Sequence, residues 1–421
     1  MRNNPFLFTL LLSLCILAID LYSYQGVKKL LIRSRARVKN IVWIFFWIVP
    51  IFLILGLIIF SLSYTAIPPS RVLTYFHFIS GTFILFYVPK LVFIFFFLLE
   101  NIFFYAKSKL SRTTAQQENP DPAGKPISRA QFLSRVGIVM AGIPFLSLAY
   151  GIKWGRYNFT VRHHTLKFSR LPTSFDGVRL LQFSDFHIGS FLNNPHQVTE
   201  AIQFIHQQKA DLILFTGDFV NNVSSEMDDF IPVLKQLAAP EGKFSILGNH
   251  DYGDYYRWNS YAERKQNLER LIKVQEEMGF KMLLNDAIKI QRGNDQIELV
   301  GVENWGLPPF PQYGDLDKAL LNTRADSFKI LLSHDPTHWD EQVLGNTNID
   351  LTLSGHTHGA QFGIEIPGWR WSPVSIRYKR WGGLYREGQQ ILNVNTGIGF
   401  IGYPGRVGMP PEITVIDLKQ G

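Results

Sequence analysis

Five short apolar runs, each ending in a residue able to bind a metal ion, constrain this chain more than any other feature. The first is Leu180-Leu-Gln-Phe-Ser-Asp-Phe-His-Ile-Gly189, a stretch of the kind a buried strand needs, closed by Asp185 and His187. On a strand, residues i and i+2 share a face, so the carboxylate and the imidazole are expected to converge just past the strand end. Alone, this decapeptide also reads as a strand followed by a polar turn. The pattern then recurs. Asp211-Leu-Ile-Leu-Phe-Thr-Gly-Asp218 ends on an aspartate, and Phe244-Ser-Ile-Leu-Gly-Asn-His-Asp251 on Asn249, His250 and Asp251. Phe328-Lys-Ile-Leu-Leu-Ser-His334 ends on a histidine, and Asp350-Leu-Thr-Leu-Ser-Gly-His-Thr-His358 on His356 and His358. Open α/β sheets place their sites at the carboxyl ends of strands, where all five runs deliver a candidate ligand.

The 421-residue chain is divided sharply in character, with most of its apolar excess before Ile152. Its net charge of +8 gathers around those apolar segments, which argues for membrane topology before nucleic acid. Cys15 is the only cysteine, so neither an intrachain disulfide nor a Cys-based zinc site is possible. Any metal must be held by Asp, His and Asn.

Apolar segments at approximately 5–22, 41–62, 75–105 and 136–152 are long enough to span a bilayer. They make 1–155 a membrane-anchoring region and 156–421 a catalytic domain. A signal peptide fits the first segment less well, because only Arg2 precedes it and no small-residue cleavage site follows. The third stretch, 72–105, is too long for one upright helix and contains Pro89-Lys90, so a tilted or kinked span is expected. Residues 106–134, with Pro-rich 119–126, read as a flexible loop. Six basic residues lie in 28–39 and six more in 107–135, whereas the connector between the second and third spans carries only Arg71. The positive-inside rule puts both basic loops in the cytoplasm and, with four spans, the C-terminal domain outside it. Ser128-Arg-Ala-Gln-Phe-Leu133 looks like a twin-arginine export signal in which Ala130 replaces the second arginine; an ordinary basic flank fits equally well.

Beyond Arg156 short strands alternate with helices. Strands are expected at 178–184, 212–216, 244–247, 297–302, 328–332, 351–353, 391–395 and 413–417, and helices at 195–208, 228–237 and 261–278. Asn194-Pro195 supplies an N-cap followed by proline, and Val198, Ile202 and Ile205 an apolar helix face. This order, without a Rossmann or P-loop glycine pattern, points to an α/β fold: a layered α/β/β/α sandwich with two mixed sheets.

Asp185-x-His187, Gly217-Asp218, Gly248-Asn-His-Asp251, His334 and Gly355-His-Thr-His358 together resemble the motif blocks of the calcineurin-like metallophosphoesterase superfamily. The resemblance covers about residues 160 to 418. With its apolar N-terminus the chain is most similar to the membrane-anchored bacterial branch, whose members carry a transmembrane region and a metallophosphoesterase domain. That branch usually has Gly-Gly-Gln after the last histidine, where this chain has Gly359-Ala360-Gln361. The resemblance implies two divalent metal ions, with Asp185, His187 and His358 on the first and Asn249, His334 and His356 on the second. Asp218 would bridge them, and a metal-bridging hydroxide would attack phosphorus in line. It also implies that His250 protonates or stabilises the leaving oxygen and that Asp251 orients it. The mixed nitrogen and oxygen ligands suit Mn, Fe, Zn or Mg.

His77, His163, His164, His196, His206 and His338 read as ordinary structural or surface histidines. The stretch Trp369-Arg-Trp-Ser-Pro-Val-Ser-Ile-Arg-Tyr-Lys-Arg-Trp-Gly-Gly383 reads either as a solvated strand pair with packed aromatics or as an interfacial patch. A phosphoesterase integral to the bacterial cytoplasmic membrane, acting on a phosphate monoester or diester, is the favoured function. A phospholipid or lipid-linked nucleotide is the expected substrate class, with the bilayer as partner and no nucleic acid. UDP-diacylglucosamine is the alternative substrate if the domain is cytoplasmic. A catalytically silent sensor or scaffold is the other class, and the intact ligand set argues against it.

Overall fold

The computed structural model describes residues 5–63, 67, 69–110, 129–191 and 194–421. These form two compact units, Met1–Tyr150 and Gly151–Gly421.

The first unit is built from α1 (Pro5–Leu30), α2 (Ala36–Ser63), α3 (Pro69–Leu110) and α4 (Arg129–Lys153). All four contain stretches long and apolar enough to cross a membrane. Their outward side chains, such as Phe45, Ile59, Phe95 and Val139, are exposed and apolar, as a helix facing lipid requires. The long third stretch is one helix of 42 residues that runs through Pro89, so Pro89-Lys90 does not divide it. Ile16, Leu53, Leu57 and Tyr87 form the apolar interior. Asp20 is also buried, between the Tyr87 hydroxyl and Lys90 Nζ, the latter at 2.5 Å. The loop expected over 106–134 is shorter, because α3 extends to Leu110 and α4 starts at Arg129. Residues 119–126 and Ser128 lie outside the described residues; the rest of the export-like hexapeptide opens α4.

The second unit contains two six-stranded mixed sheets. The first takes β1 (Thr160–Phe168), β2 (Arg179–Phe183), β3 (Leu212–Phe215), β4 (Lys243–Ser245), β5 (Phe280–Met282) and, from the far end of the chain, β14 (Glu412–Gln420). Their order is β1-β14-β2-β3-β4-β5, and only the β14–β2 pair is antiparallel. The second takes β6 (Asp286–Arg292), β7 (Asp295–Gly301), β8 (Lys329–Leu332), β9 (Leu351–Ser354), β12 (Gly383–Glu387) and β13 (Gln390–Val394), in the order β12-β13-β9-β8-β7-β6. A separate ribbon pairs β10 (Ile364–Ile366) with β11 (Trp369–Trp371).

Strand alternation builds the layers. Leu180, Leu212 and Leu214 point between the sheets and meet Leu299, Ile330, Leu332, Leu351 and Leu353. Their neighbours Leu181, Ile213 and Phe215 face outward, to a layer of α5 (Pro195–Gln207) and α7 (Tyr261–Glu277) that contributes Val198, Ile202, Ile205, Leu271 and Val274. On the other side Val300, Leu331 and Leu392 pack with Leu316, Trp339 and Val343. The result is the expected α/β/β/α sandwich.

All eight expected strands are present with ends shifted by a few residues. The helix expected over 228–237 shrinks to α6 (Ile231–Leu234), preceded by a 3-10 turn at Ser224–Met227. A helix begun at Asp228 would place Pro232 in its interior, against the carbonyl four residues back. Asn194 stands at the N-cap of α5 without a side-chain capping bond, so Pro195 alone marks that helix start. The strands not expected, β1, β5, β6 and β10 to β12, are short or polar, with most of their side chains at least partly exposed.

Candidate metal centre

Every candidate ligand follows the C-terminal end of a parallel-paired strand: Asp185 and His187 after β2, Asp218 after β3, Asn249 and His250 after β4, His334 after β8, His356 and His358 after β9. Strand alternation does not make Asp185 and His187 converge, however. β2 stops at Phe183, and both residues take left-handed backbone, φ 51° and 45°. Asp218, His356 and His358 do the same, at φ 64°, 72° and 51°. Non-glycine residues avoid this region at a cost of about 1 kcal/mol or more each, and such strain gathers at functional sites. Ala360 also sits there, at φ 49°. Gly217 is required for a further reason: a Cβ on it would lie 2.6 Å from the Gly248 backbone nitrogen, so only glycine lets the β3 and β4 loops abut.

The side chains meet in one buried cluster. His187 Nε2 is 3.1 Å from His358 Nε2, which lies 3.3 Å from Asp185 Oδ1. On the other side, Asn249 Oδ1 lies 2.9 Å from His356 Nδ1 and 3.1 Å from His334 Nε2. Asp218 Oδ2 stands between the two groups, 3.6 Å from His187 Nε2 and 3.2 Å from His334 Nε2. Asp185, His187 and His358, and likewise Asp185, Asp218 and His334, offer atoms within 4.8 Å of one another.

The surrounding bonds aim lone pairs inward. His334 Nδ1 lies 2.7 Å from the Thr216 carbonyl, which can only accept, so that nitrogen carries a proton and Nε2 is the one turned to Asn249 and Asp218. Asn249 Nδ2 donates to the Tyr255 hydroxyl at 2.9 Å, which turns Oδ1 toward the histidines. Burial favours the neutral form of His187 and His356. Burial acts the same way on His334, but the Asp218 carboxylate, with Asp185, outweighs it and pushes that ring up to about 10. The carboxylates thus draw positive charge into a place that otherwise excludes it. Two carboxylates, an amide oxygen and four imidazoles converging out of water fit divalent cations, and this mixed set suits Mn, Fe, Zn or Mg.

One expectation about the neighbours changes. Asp251 does not orient His250. Its Oδ2 accepts from the Asp218 and Gly248 amides at 2.8 and 2.9 Å, and its Oδ1 from Phe219 and Val220 at 2.9 and 3.3 Å. It ties the β3 loop to the β4 loop. His250 Nδ1 instead meets the Asn221 carbonyl at 2.7 Å. Asn221 is held in turn by Glu226, a buried carboxylate that accepts from the Asn221, Asn222 and Val223 amides. Sequence reasoning missed Asn221 and Glu226, which carry no motif, and Tyr378, whose hydroxyl lies 2.8 Å from His356 Nε2. Gln361 pins another loop, donating to the Tyr403 and Gly405 carbonyls and accepting from the Ile401 amide.

The remaining histidines of the second unit stay apart from the cluster. His163 and His164 lie on β1, and His196 and His206 on α5; His77 belongs to the first unit, on α3. His338 is buried between the Ser333 hydroxyl and Gln342.

Residues 178–360, which contain all nine site residues, match the family described as calcineurin-like phosphoesterase. Residues 2–156 match a probable calcineurin-like phosphoesterase transmembrane domain. Metallophosphoesterase YkuE of Bacillus subtilis is 33% identical over 70% of this chain and 99% of its own length. This chain belongs to the calcineurin-like metallophosphoesterase family. It is an enzyme, a metal-dependent phosphohydrolase, and an integral membrane protein. The metallophosphoesterase is also 28% identical to phosphodiesterase YaeI of Escherichia coli, over 69% of this chain and 99% of that one. The transmembrane protein with metallophosphoesterase domain of Danio rerio is 29% identical over 60% of this chain, but over only 55% of its own length.

Proposed function

We propose that this metallophosphoesterase hydrolyses a phosphate monoester or diester presented at a membrane, a phospholipid or lipid-linked nucleotide. The position of Asp218 Oδ2 between His187 and His334 carries the reading, because only a carboxylate has oxygens to share between two cations. Asp185, His187 and His358 would hold one, and Asn249, His334 and His356 the other. When bound, such ions polarise phosphoryl oxygens and lower the pKa of a coordinated water.

The chain's own groups complete the reaction. As the water oxygen bonds to phosphorus, the ester P–O bond breaks and the leaving oxygen needs a proton. His250 is suited to supply it. The Asn221 carbonyl accepts from Nδ1–H, which fixes the ring, so its acid form presents Nε2–H to the leaving oxygen and regains that proton from the attacking water. The Asp218 carboxylate accepts the His250 amide at 2.8 Å, so the ligand and the acid share one loop geometry.

The test is metal content and turnover of bis(p-nitrophenyl) phosphate by the purified full chain. Asp218→Asn and His356→Ala should each abolish turnover while the chain stays folded. Near-normal turnover in either variant overturns the two-metal assignment.

The catalytic domain faces out of the cytoplasm of a bacterial cytoplasmic membrane in this reading, since six basic residues in 28–39 and six in 107–135 mark the inner side. Alkaline phosphatase and green fluorescent protein fused after Gly421 report opposite sides. Fluorescence without phosphatase activity would put the domain in the cytoplasm and make UDP-diacylglucosamine the leading substrate.

A further inference from the structure

The ribbon β10–β11 lies just past the matched phosphoesterase segment and joins neither large sheet. Its register pairs Ile364 with Trp371 and Ile366 with Trp369, around a central Glu365–Arg370 pair. Side chains alternate along a strand, so the two isoleucines and two tryptophans share one face and the charged pair the other. The charged face is the one joined to the domain. Glu365 pairs with Arg162 at 2.6 Å, and the Arg370 guanidinium lies 4.4 Å over the Trp381 ring. The apolar face looks outward. Ile364, Ile366, Trp369 and Trp371 are 50%, 55%, 51% and 42% exposed. This inverts the usual arrangement of a surface ribbon, in which the apolar side faces the core and the charges face water.

The surrounding sequence says what covers that face. Residues 366–386 contain five Arg or Lys and no Asp or Glu. Arg377 and Lys379 are exposed, and Ile376 beside them is almost fully so. Tryptophan beside aliphatic residues, followed by cations, with the ribbon's one acidic residue, Glu365, neutralised by Arg162, matches the boundary between anionic headgroups and acyl chains. The chain itself carries four helices long and apolar enough to cross a membrane, so a lipid surface is within the reach of the same molecule. We infer that the β10–β11 ribbon is a bilayer-docking element that inserts its Ile/Trp face into the headgroup boundary of an anionic membrane.

Ser372, directly after β11, donates to the Gly359 carbonyl next to His358 at 2.7 Å, and Tyr378 reaches His356. Docking therefore fixes the membrane at a set distance along the chain from the metal centre. That consequence rests on the proposed function; the docking itself does not.

The test uses the full chain in lipid nanodiscs of phosphatidylcholine and phosphatidylglycerol. In a Cys15→Ser background, an environment-sensitive fluorophore is placed at Ile366→Cys, and in a reference protein at exposed Lys265→Cys on α7. Quenching by lipids spin-labelled near the headgroup is then read. The ribbon probe should be quenched about threefold more than the reference and should shift to the blue, as for an interfacial residue. Adding Trp369→Ser and Trp371→Ser should remove that difference and leave turnover of a soluble aryl phosphodiester unchanged. Equal quenching at the two positions overturns the proposal. So does probe–probe self-quenching without lipid quenching, which assigns the face to a second copy. Since quenching is read without turnover, failure here leaves the hydrolytic reading intact, and loss of turnover in the metal-ligand variants leaves this one intact.

Discussion

The Tyr378 hydroxyl lies 2.8 Å from Nε2 of His356, while Nδ1 of the same ring faces Asn249 Oδ1 at 2.9 Å. A neutral imidazole has one donor and one acceptor nitrogen, so the partner of one decides the state of the other. The Asp335 carboxylate, 3.4 Å from the same nitrogen, can only accept, and burial pushes the Tyr378 hydroxyl up and keeps it a neutral phenol able to accept beside it, so Nε2 holds the proton. That leaves the Nδ1 lone pair for a cation. Tyr378→Phe should therefore keep the fold and lower metal affinity about tenfold, the usual loss when a ligand's outer partner is removed. Metal retained on dialysis against graded free-metal buffers measures this. Unchanged retention would show that Tyr378 only packs.

His338 gives a pH dependence separate from the metal ligands. Burial holds its ring down to about 4, with the Ser333 hydroxyl 2.8 Å from Nδ1 and Gln342 Oε1 3.0 Å from Nε2. An unfolded histidine titrates near 6.5, so between about 4 and 6.5 the unfolded chain binds more protons than the folded one. Stability from this residue is then complete above that window and is lost as pH falls through it. Between pH 7 and pH 5 the loss is about 2 kcal/mol. Urea unfolding of the full chain in detergent at both pH values should show this fall, and His338→Asn should reduce it by that amount. Equal falls in the two proteins would contradict the assignment.

The fold and the centre were legible for different reasons. Buried strands such as β2, β3, β8 and β9 announce themselves because both faces are covered and the sequence must stay apolar. β1 and β6 lie at sheet edges and present polar side chains, so nothing in their composition marks them. The ligand positions are legible because their residue types are dictated by coordination. The groups that orient them are not: Asn221 acts through its backbone carbonyl, which any residue possesses, and Glu226 through loop amides. Asp251 is legible as a site residue but its partner is not, since its side chain turns away from His250, next to it in sequence, to accept from four amides. The aromatic stretch from Trp369 was half read, because its partner strand Ile364–Ile366 has too few residues to show alternation.

In the membrane unit, Asp20 is buried beside Lys90 Nζ at 2.5 Å and the Tyr87 hydroxyl, and the same ammonium lies 4.8 Å from the Phe46 ring centroid. Removing one member strands the other charge away from water. Lys90→Met should destabilise the helical unit by about 3–5 kcal/mol, whereas Lys90→Met combined with Asp20→Leu should recover most of that. Heating in detergent, followed by size-exclusion chromatography of the surviving monodisperse protein, gives the ranking. A double variant as unstable as the single one would show that the pair is not a unit.

The final expectation separates His250 from the ligands around it. Its ring lies edge-on to His187, with centroids 4.9 Å apart, and its Nδ1 is engaged by the Asn221 carbonyl. If it donates a proton to the leaving oxygen, the benefit depends on how badly that oxygen needs one. A p-nitrophenolate leaves without help, whereas an alkoxide does not, and a positioned acid contributes about 10²–10⁴-fold in such reactions. His250→Ala should therefore lose rate steeply with alkyl phosphodiesters, by about a hundredfold or more, and only a few-fold with p-nitrophenyl esters. Metal content should stay close to that of the parent protein, because no proposed ligand atom is removed. The measurement is kcat/KM across diesters of graded leaving-group pKa, for parent and variant. A steeper slope in the variant identifies proton donation, and parallel lines mean that His250 stabilises the phosphoryl group equally for every leaving group.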